Sequence, residues 1–156
     1  MKNQIDLSQD YSNEMTGKLN LLLSNVQILY MNVRGFHWNI VGKQFFALHK
    51  KYEEVYNQLN EMADEIAERV LMLGGSPLHS FSEYIKISAI NERLNISSAD
   101  ETVAALVEDT IQLLKLEREI LAMASGNDDE ATAGLMSEFI GEQEKMIWML
   151  NALLKQ

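Results

Sequence analysis

The 156-residue chain contains no cysteine and a single proline, Pro77. Without cysteine it can form neither disulfides nor thiolate metal sites. No apolar run approaches the ~18 residues that a membrane-spanning helix needs. The N-terminal stretch MKNQIDLSQD lacks the apolar core of a signal peptide. We therefore expect a cytoplasmic protein that does not enter a membrane.

Positive charge is also scarce, because 13 lysines and arginines face 23 acidic residues and the formal net charge is −10. The first seven residues hold only Lys2 as a basic residue, and the last two are Lys155 and Gln156. This balance opposes binding to nucleic acid or to anionic lipid, since both carry negative charge. DNA binding is accordingly expected to be weak or absent.

Apolar residues make up 47% of the chain, enough for a single domain over residues 1–156 with a sizeable core. Apolar residues recur at spacings of three and four, which indicates helices. We predict four long helices. The first two span residues 10–38 and 43–73. The third begins at the capping box Ser98-x-x-Glu101, and the fourth begins at a similar signal, Asn127-x-x-Glu130. In the third helix the predicted buried positions are Val103, Val107, Ile111, Leu114 and Leu121.

The second and third helices are separated by about twenty residues, too many for a simple turn. Gly74-Gly75-Ser76-Pro77 ends the second helix, and a short helix is predicted over 81–89. Two helices, a long crossover and two more helices describe an all-α, ferritin-like four-helix bundle with a short extra helix in the connection.

The most informative residues are His37, His49, Asp64 and Glu68. The histidines flank the break between the first two helices, so an antiparallel hairpin brings them to about the same height. His49 precedes Asp64 by 15 residues on one predicted helix, a separation of about 22 Å at 1.5 Å per residue. Metal–ligand bonds are near 2 Å, so one copy of the chain cannot hold an ion with both residues.

Two interpretations remain: the spacing is accidental, or two antiparallel copies each lend carboxylates to the other's histidines. A twofold axis near Asn57 would create two equivalent sites per dimer. Imidazole and carboxylate ligands suit iron, zinc or manganese. Glu53, one turn after His49, either completes this set or supports it. His79 lies outside the set, and we expect it to pack or face solvent.

Ordinary diiron bundles carry Glu-x-x-His on two helices and bind metal within one bundle. Here the residues three positions before the histidines are Arg34, Phe46 and Ser76. A diiron centre inside a single bundle is therefore not expected.

The segments FHWNIVG, FFALHKKYEE and NEMADEIAERVLMLGGSP closely resemble the Dps family of the ferritin-like superfamily. The resemblance covers nearly the whole chain. It implies a hollow shell of twelve subunits, a homododecamer, with ferroxidase sites at twofold dimer interfaces. Members of the family oxidise Fe(II), usually with hydrogen peroxide, and store the ferric product, which protects against oxidative stress.

Carried over residue by residue, the resemblance makes His37 and His49 iron ligands from one subunit and Asp64 and Glu68 ligands from its partner. Glu53 stands where the family often has aspartate, so both a ligand role and a supporting role stay open. DNA association in the family depends on lysine-rich tails, which this chain lacks.

Two further features have alternative interpretations. The cluster Asp128, Asp129 and Glu130 could line an iron-entry pore, as this region does in the family, or could simply favour a helix N-terminus. Trp38, next to His37, could act as an oxidisable radical sink or as interface packing.

Three functions follow from these observations. The first is an iron-storing ferroxidase, with Fe(II) and hydrogen peroxide as reactants. The second is a DNA-binding, nucleoid-protecting protein, which the charge disfavours. The third is a helical interaction protein whose site is inactive.

Overall fold

The computed structural model describes residues 1–155. Within that range the chain folds into five helices and no strand, which confirms the all-α prediction. The helices are α1 (Gln9–Asn39), α2 (Phe45–Met72), α3 (Phe81–Ile87), α4 (Ala99–Ser125) and α5 (Glu130–Leu154). None of the helices in this range combines the length and the apolar character needed to cross a membrane.

Four long helices form the bundle, and the short α3 lies in the predicted connection. The most extensive contacts join α1 to α2 and α4 to α5, so the bundle consists of two helical hairpins. Contacts between α1 and α4 join the hairpins, and α3 packs on α1.

The core forms because each long helix buries one stripe of side chains. On α1 the stripe runs through Met15, Leu22, Leu29 and Phe36, each at most 1% exposed. A spacing of seven keeps such residues on one face of a helix. Complete burial of a leucine or phenylalanine contributes about 1.5–3 kcal/mol, so this stripe stabilises the fold strongly.

The buried face of α4 differs from the predicted one. Ile111 is exposed, whereas Thr110 and Glu117 lie on the buried stripe and are at most 1% exposed. Val103 and Leu114 are buried as predicted, but the prediction was wrong for Ile111 because it followed apolar residues alone. Because two polar residues lie on the buried face, a search for apolar residues alone selects a face rotated around the helix.

Two glycines end α2 and start the connection, as predicted. Gly74 adopts φ +87°, a left-handed conformation that favours glycine. A Cβ on Gly75 would lie 2.6 Å from Cγ2 of Thr16, so the chain approaches α1 closely here. The connection therefore begins in close contact with α1.

The predicted start of the fourth helix was only partly right. Ser98 caps α4 as expected, and its side chain accepts a hydrogen bond from the Glu101 N–H. At α5 the cap is Asp129, which accepts from the Thr132 N–H. The predicted box beginning at Asn127 is wrong, because the Asn127 amide instead donates to the carbonyl of Met123 in α4.

Candidate metal centre

Two imidazoles lie together at the end of the α1–α2 hairpin. The rings of His37 and His49 are stacked, with centroids 3.8 Å apart and planes 14° from parallel. The prediction that the hairpin brings these residues to the same height is therefore met by the geometry. The short link between the helices causes this placement, because Gly42 (φ +106°) lets the chain reverse within a few residues.

Each imidazole is oriented by the backbone of the opposite helix. The Nδ1 atom of His37 donates to the carbonyl of His49 at 2.6 Å, and Nδ1 of His49 donates to the carbonyl of His37 at 2.8 Å. A carbonyl oxygen only accepts, so the Nδ1 atoms carry the protons. In the neutral rings both Nε2 lone pairs are then available to a metal ion.

The surroundings hold this pair in place. His37 is buried, and the ring of Phe45 stacks on His49 at 4.9 Å with an angle of 19°. Packing on both sides leaves the imidazoles little freedom to rotate. Sequence reasoning missed Phe45, although its position four residues before His49 places it on the same face of α2.

The predicted carboxylate ligands lie elsewhere on α2. Asp64 and Glu68 are both exposed and share one face, and Glu53 is exposed one turn after His49. Within residues 1–155 none of the three forms an ion pair. They are therefore free to bind a cation or to meet another subunit.

A single chain does not bring the two halves of this set together. His49 and Asp64 remain 15 residues apart on one continuous helix, about 22 Å. Among the described residues, no group of three or more histidine, aspartate or glutamate side chains is arranged to hold a metal ion. The structure thus places the imidazole pair at one end of α2, and Asp64 and Glu68, called here the acid end, toward the other end.

The acidic cluster before α5 divides into one buried and two exposed residues. Asp128 and Glu130 are exposed, whereas Asp129 is 3% exposed. The carboxylate of Asp129 pairs with Arg69 at 2.7 Å and accepts from the hydroxyls of Tyr11 and Thr132 at 2.7 and 2.6 Å. In this fold Asp129 therefore joins α5 to α1 and α2.

The pKa of Asp129 agrees with this structural role. Burial raises the pKa of the carboxyl, but the hydrogen bonds from Thr132 and Tyr11 and the charge of Arg69 outweigh burial. The net pKa is lowered, so the residue stays ionised. The pore lined by Asp128, Asp129 and Glu130 stays a prediction, in which the two exposed residues would meet the ion first.

Trp38 and His79 are both at the surface. Trp38 is 58% exposed, and the guanidinium carbon of Arg34 lies 4.9 Å from its ring. His79 is exposed, and its Nδ1 donates to the carbonyl of Pro77 at 3.0 Å. His79 is not part of the imidazole pair, but it lines a surface cavity together with Asp64.

The interior of the bundle holds a fully buried acid, Glu117, that sequence reasoning missed. Glu117 of α4 is 0% exposed, and its Oε1 accepts from the amide of Gln143 of α5 at 2.6 Å. Burial raises the pKa of Glu117 to about 7. A lone carboxyl beside an amide and the thioether of Met62 does not form a carboxylate-bridged diiron site.

Comparisons with known proteins agree with this geometry. The family model of the ferritin-like domain matches residues 16–156. A Dps protein from Vibrio cholerae O1, described as a member of the ferritin-like diiron-carboxylate superfamily, has a similar crystal structure with a TM-score of 0.96. That protein is 47% identical, and the match covers 99% of this chain and 97% of the other.

Two sequence relatives extend the comparison. An uncharacterised protein from Haemophilus influenzae is 48% identical over 97% of this chain and 94% of its own length. A protein from Bacillus anthracis named DNA protection during starvation protein 2 is 38% identical over 67% of this chain and 71% of its own length. The fold, the imidazole pair and these relatives lead to one conclusion: the chain belongs to the Dps family of the ferritin-like superfamily.

Proposed function

We propose that this protein is a ferroxidase that oxidises Fe(II) with hydrogen peroxide and stores the ferric product inside a hollow homo-oligomer, a dodecamer by analogy with its family. It thereby removes both reactants of oxidative damage. Each site forms between two subunits, from His37 and His49 of one and Asp64 and Glu68 of the other. The observation that carries the proposal is the reciprocal Nδ1-to-carbonyl hydrogen bonding, which leaves both Nε2 atoms for iron.

Exposed apolar side chains beside the imidazole pair support an interface at this position. Phe46 is 86% exposed and Trp38 is 58% exposed in the single chain. Large apolar side chains grouped at a surface mark contact sites for other proteins. A second subunit packed antiparallel along α2 would cover them and would place its own acid end next to the histidines.

Charge and ligand chemistry fit iron as the substrate. Neutral imidazole nitrogen and carboxylate oxygen are ligands that iron accepts readily. The exposed carboxylates supply negative charge, which stabilises the ferric product more than the ferrous reactant because the product carries one more positive charge. Glu53 has one of two roles in the proposal. It would bind the iron directly, or it would support the ligands through a hydrogen bond.

The overall reaction needs two ferrous ions for each peroxide. Each Fe(II) gives one electron, and hydrogen peroxide takes both electrons and two protons to become two molecules of water. Since both electrons come from one site, hydroxyl radical is not released. The cluster Asp128, Asp129 and Glu130 would guide Fe(II) toward the shell interior. Trp38 would pack at the subunit interface or intercept stray radicals.

The proposal is tested by titrating anaerobic, Fe(II)-loaded protein with hydrogen peroxide. The wild-type protein should develop ferric absorbance at one peroxide per two irons. His49→Ala should lose most of the rate, because it removes one of two imidazole ligands. Equal rates in wild type and His49→Ala would refute the site.

A further inference from the structure

Two tyrosines continue the aromatic contacts of the imidazole pair into the α1–α2 hairpin. The ring of Tyr56 lies edge-on to His37, with centroids 5.4 Å apart at 81°. The ring of Tyr30 lies edge-on to Tyr56, at 5.9 Å and 84°. Both distances fall within the range of about 4.5–7 Å over which aromatic rings pack in direct contact. Rings in contact therefore connect the imidazole of His37 to Tyr30.

A positive charge lies among these rings. The guanidinium carbon of Arg34 is 5.6 Å from the Tyr30 ring, 5.4 Å from the Tyr56 ring and 4.9 Å from the Trp38 ring. Its Nη1 atom donates a hydrogen bond to the hydroxyl oxygen of Tyr30 at 3.2 Å. The cation is thus closest to the indole and is bonded to one phenol.

This arrangement decides which ring is oxidised most easily. Removing an electron from an indole first leaves a positive ring, and the nearby Arg34 charge opposes that change. A phenol can lose its proton together with the electron and become a neutral radical, which the cation does not repel. The oxygen of a Tyr30 radical would also keep the hydrogen bond from Arg34. Arg34 therefore favours oxidation of the tyrosines over oxidation of Trp38.

We propose that Tyr56 and Tyr30 form an electron relay that protects the site when peroxide meets it with only one ferrous ion bound. This inference rests on the proposed ferroxidase function. Fe(II) gives one electron, and Tyr56 gives the second electron and its phenolic proton. With one more proton from solvent, hydrogen peroxide becomes two waters, leaving Fe(III) and a neutral radical on Tyr56.

The relay is completed by Tyr30 and reset by iron. Tyr56 regains an electron and a proton from Tyr30, so the radical moves to the residue that accepts the Arg34 hydrogen bond. A later Fe(II) supplies one electron, and solvent supplies one proton, to restore the Tyr30 phenol. Every electron is thus drawn from ferrous iron in the end, and no hydroxyl radical is formed.

The test uses assembled, iron-free protein loaded anaerobically with one Fe(II) per site. It is mixed with excess hydrogen peroxide, frozen within milliseconds and examined by electron paramagnetic resonance. Wild type should show a neutral tyrosyl radical. Tyr56→Phe should lose this signal and release more hydroxyl radical to a spin trap, because phenylalanine keeps the ring contact but has no phenolic proton. Tyr30→Phe should keep a tyrosyl signal, shorter-lived and with a different line shape.

Tyr52→Phe is the matched control. Tyr52 lies one turn before Tyr56 on the same helix, but its hydroxyl is buried and bonded to Thr102 at 2.7 Å, and its ring packs on Phe36. This variant should give the wild-type radical.

An unchanged radical in Tyr56→Phe would overturn the relay. So would its absence from a wild-type protein that oxidises iron normally at two Fe(II) per site. A wild-type protein that oxidises no iron at all would instead refute the proposed function, and the relay with it.

Discussion

Glu117 is a buried glutamate whose pKa lies well above the ordinary value for a carboxyl group. It is fully buried, its pKa is raised to about 7 by burial, and its Oε2 has no hydrogen-bond partner among residues 1–155. The Oε1 atom of Gln143 likewise lacks a partner. An ionised carboxylate at this position costs stability that a neutral group of the same shape would not cost.

Replacing Glu117 with glutamine should therefore stabilise the protein at alkaline pH. The folded-state pKa is raised, so the folded protein binds the proton more tightly than the unfolded chain does. The stability of the wild-type protein should consequently fall as pH rises from about 4.5 to about 7 and level off above that. Above pH 7 the gain from Glu117→Gln should be on the order of 3 kcal/mol.

Thermal unfolding of iron-free wild type and Glu117→Gln at pH 4.5 and pH 8.5 measures this effect. The difference in melting temperature should be large at pH 8.5 and small at pH 4.5. A difference that does not change with pH would show that the carboxyl does not titrate in the core.

Sequence reasoning at this scale could place the histidines but not orient them. Their equal height follows from the hairpin, because each lies a short distance from the same break. The bonds from Nδ1 to the opposite carbonyl depend on side-chain torsion angles, which residue spacing does not determine. The Tyr56 contact was open to prediction, since Tyr56 follows His49 by seven residues on one helical face.

At the scale of the helices, Asp129 connects three elements. It caps α5, pairs with Arg69 of α2 and accepts from Tyr11 of α1. Arg69 is only 8% exposed, so the carboxylate of Asp129 balances a buried positive charge. The neighbouring Asp128 is exposed, and its backbone is in the left-handed region with φ +58°.

Asp129→Asn should destabilise the subunit by about 3 kcal/mol, because it leaves the Arg69 charge buried without an opposite charge. Asp128→Asn is the matched control, since asparagine tolerates a left-handed backbone and no buried pair is lost. Urea unfolding of the three proteins at neutral pH gives the free energies. Equal losses for both variants would contradict the role assigned to Asp129.

The helices themselves were predicted well because apolar periodicity is a property of long segments. The bounds of α1 and α2 agree with prediction to within two residues. The start of α5 was displaced because Asn127, Asp128 and Asp129 are all acceptable caps by residue type. Only the buried partners of Asp129, which are remote in sequence, distinguish it from the other two.

At the scale of the whole molecule, the proposed site is divided between the two ends of α2. That division was visible in the sequence as a distance too long for one ion to span. Which surface of a second copy closes the gap could not be deduced, because subunit packing depends on exposed faces whose partners lie outside the chain. The net charge of −10 leaves iron, a cation, as a better electrostatic match than DNA.

Sharing of ligands between subunits is the central claim, and mixed dimers test it most directly. A His49→Ala subunit paired with an Asp64→Ala subunit contains one site that lacks both residues and one that lacks neither. Each variant alone should lose most of its rate, and verified heterodimers should recover about half of the wild-type rate of Fe(II) oxidation by peroxide. Heterodimers as inactive as the two parents would contradict the shared site, since that result requires all ligands to come from one subunit.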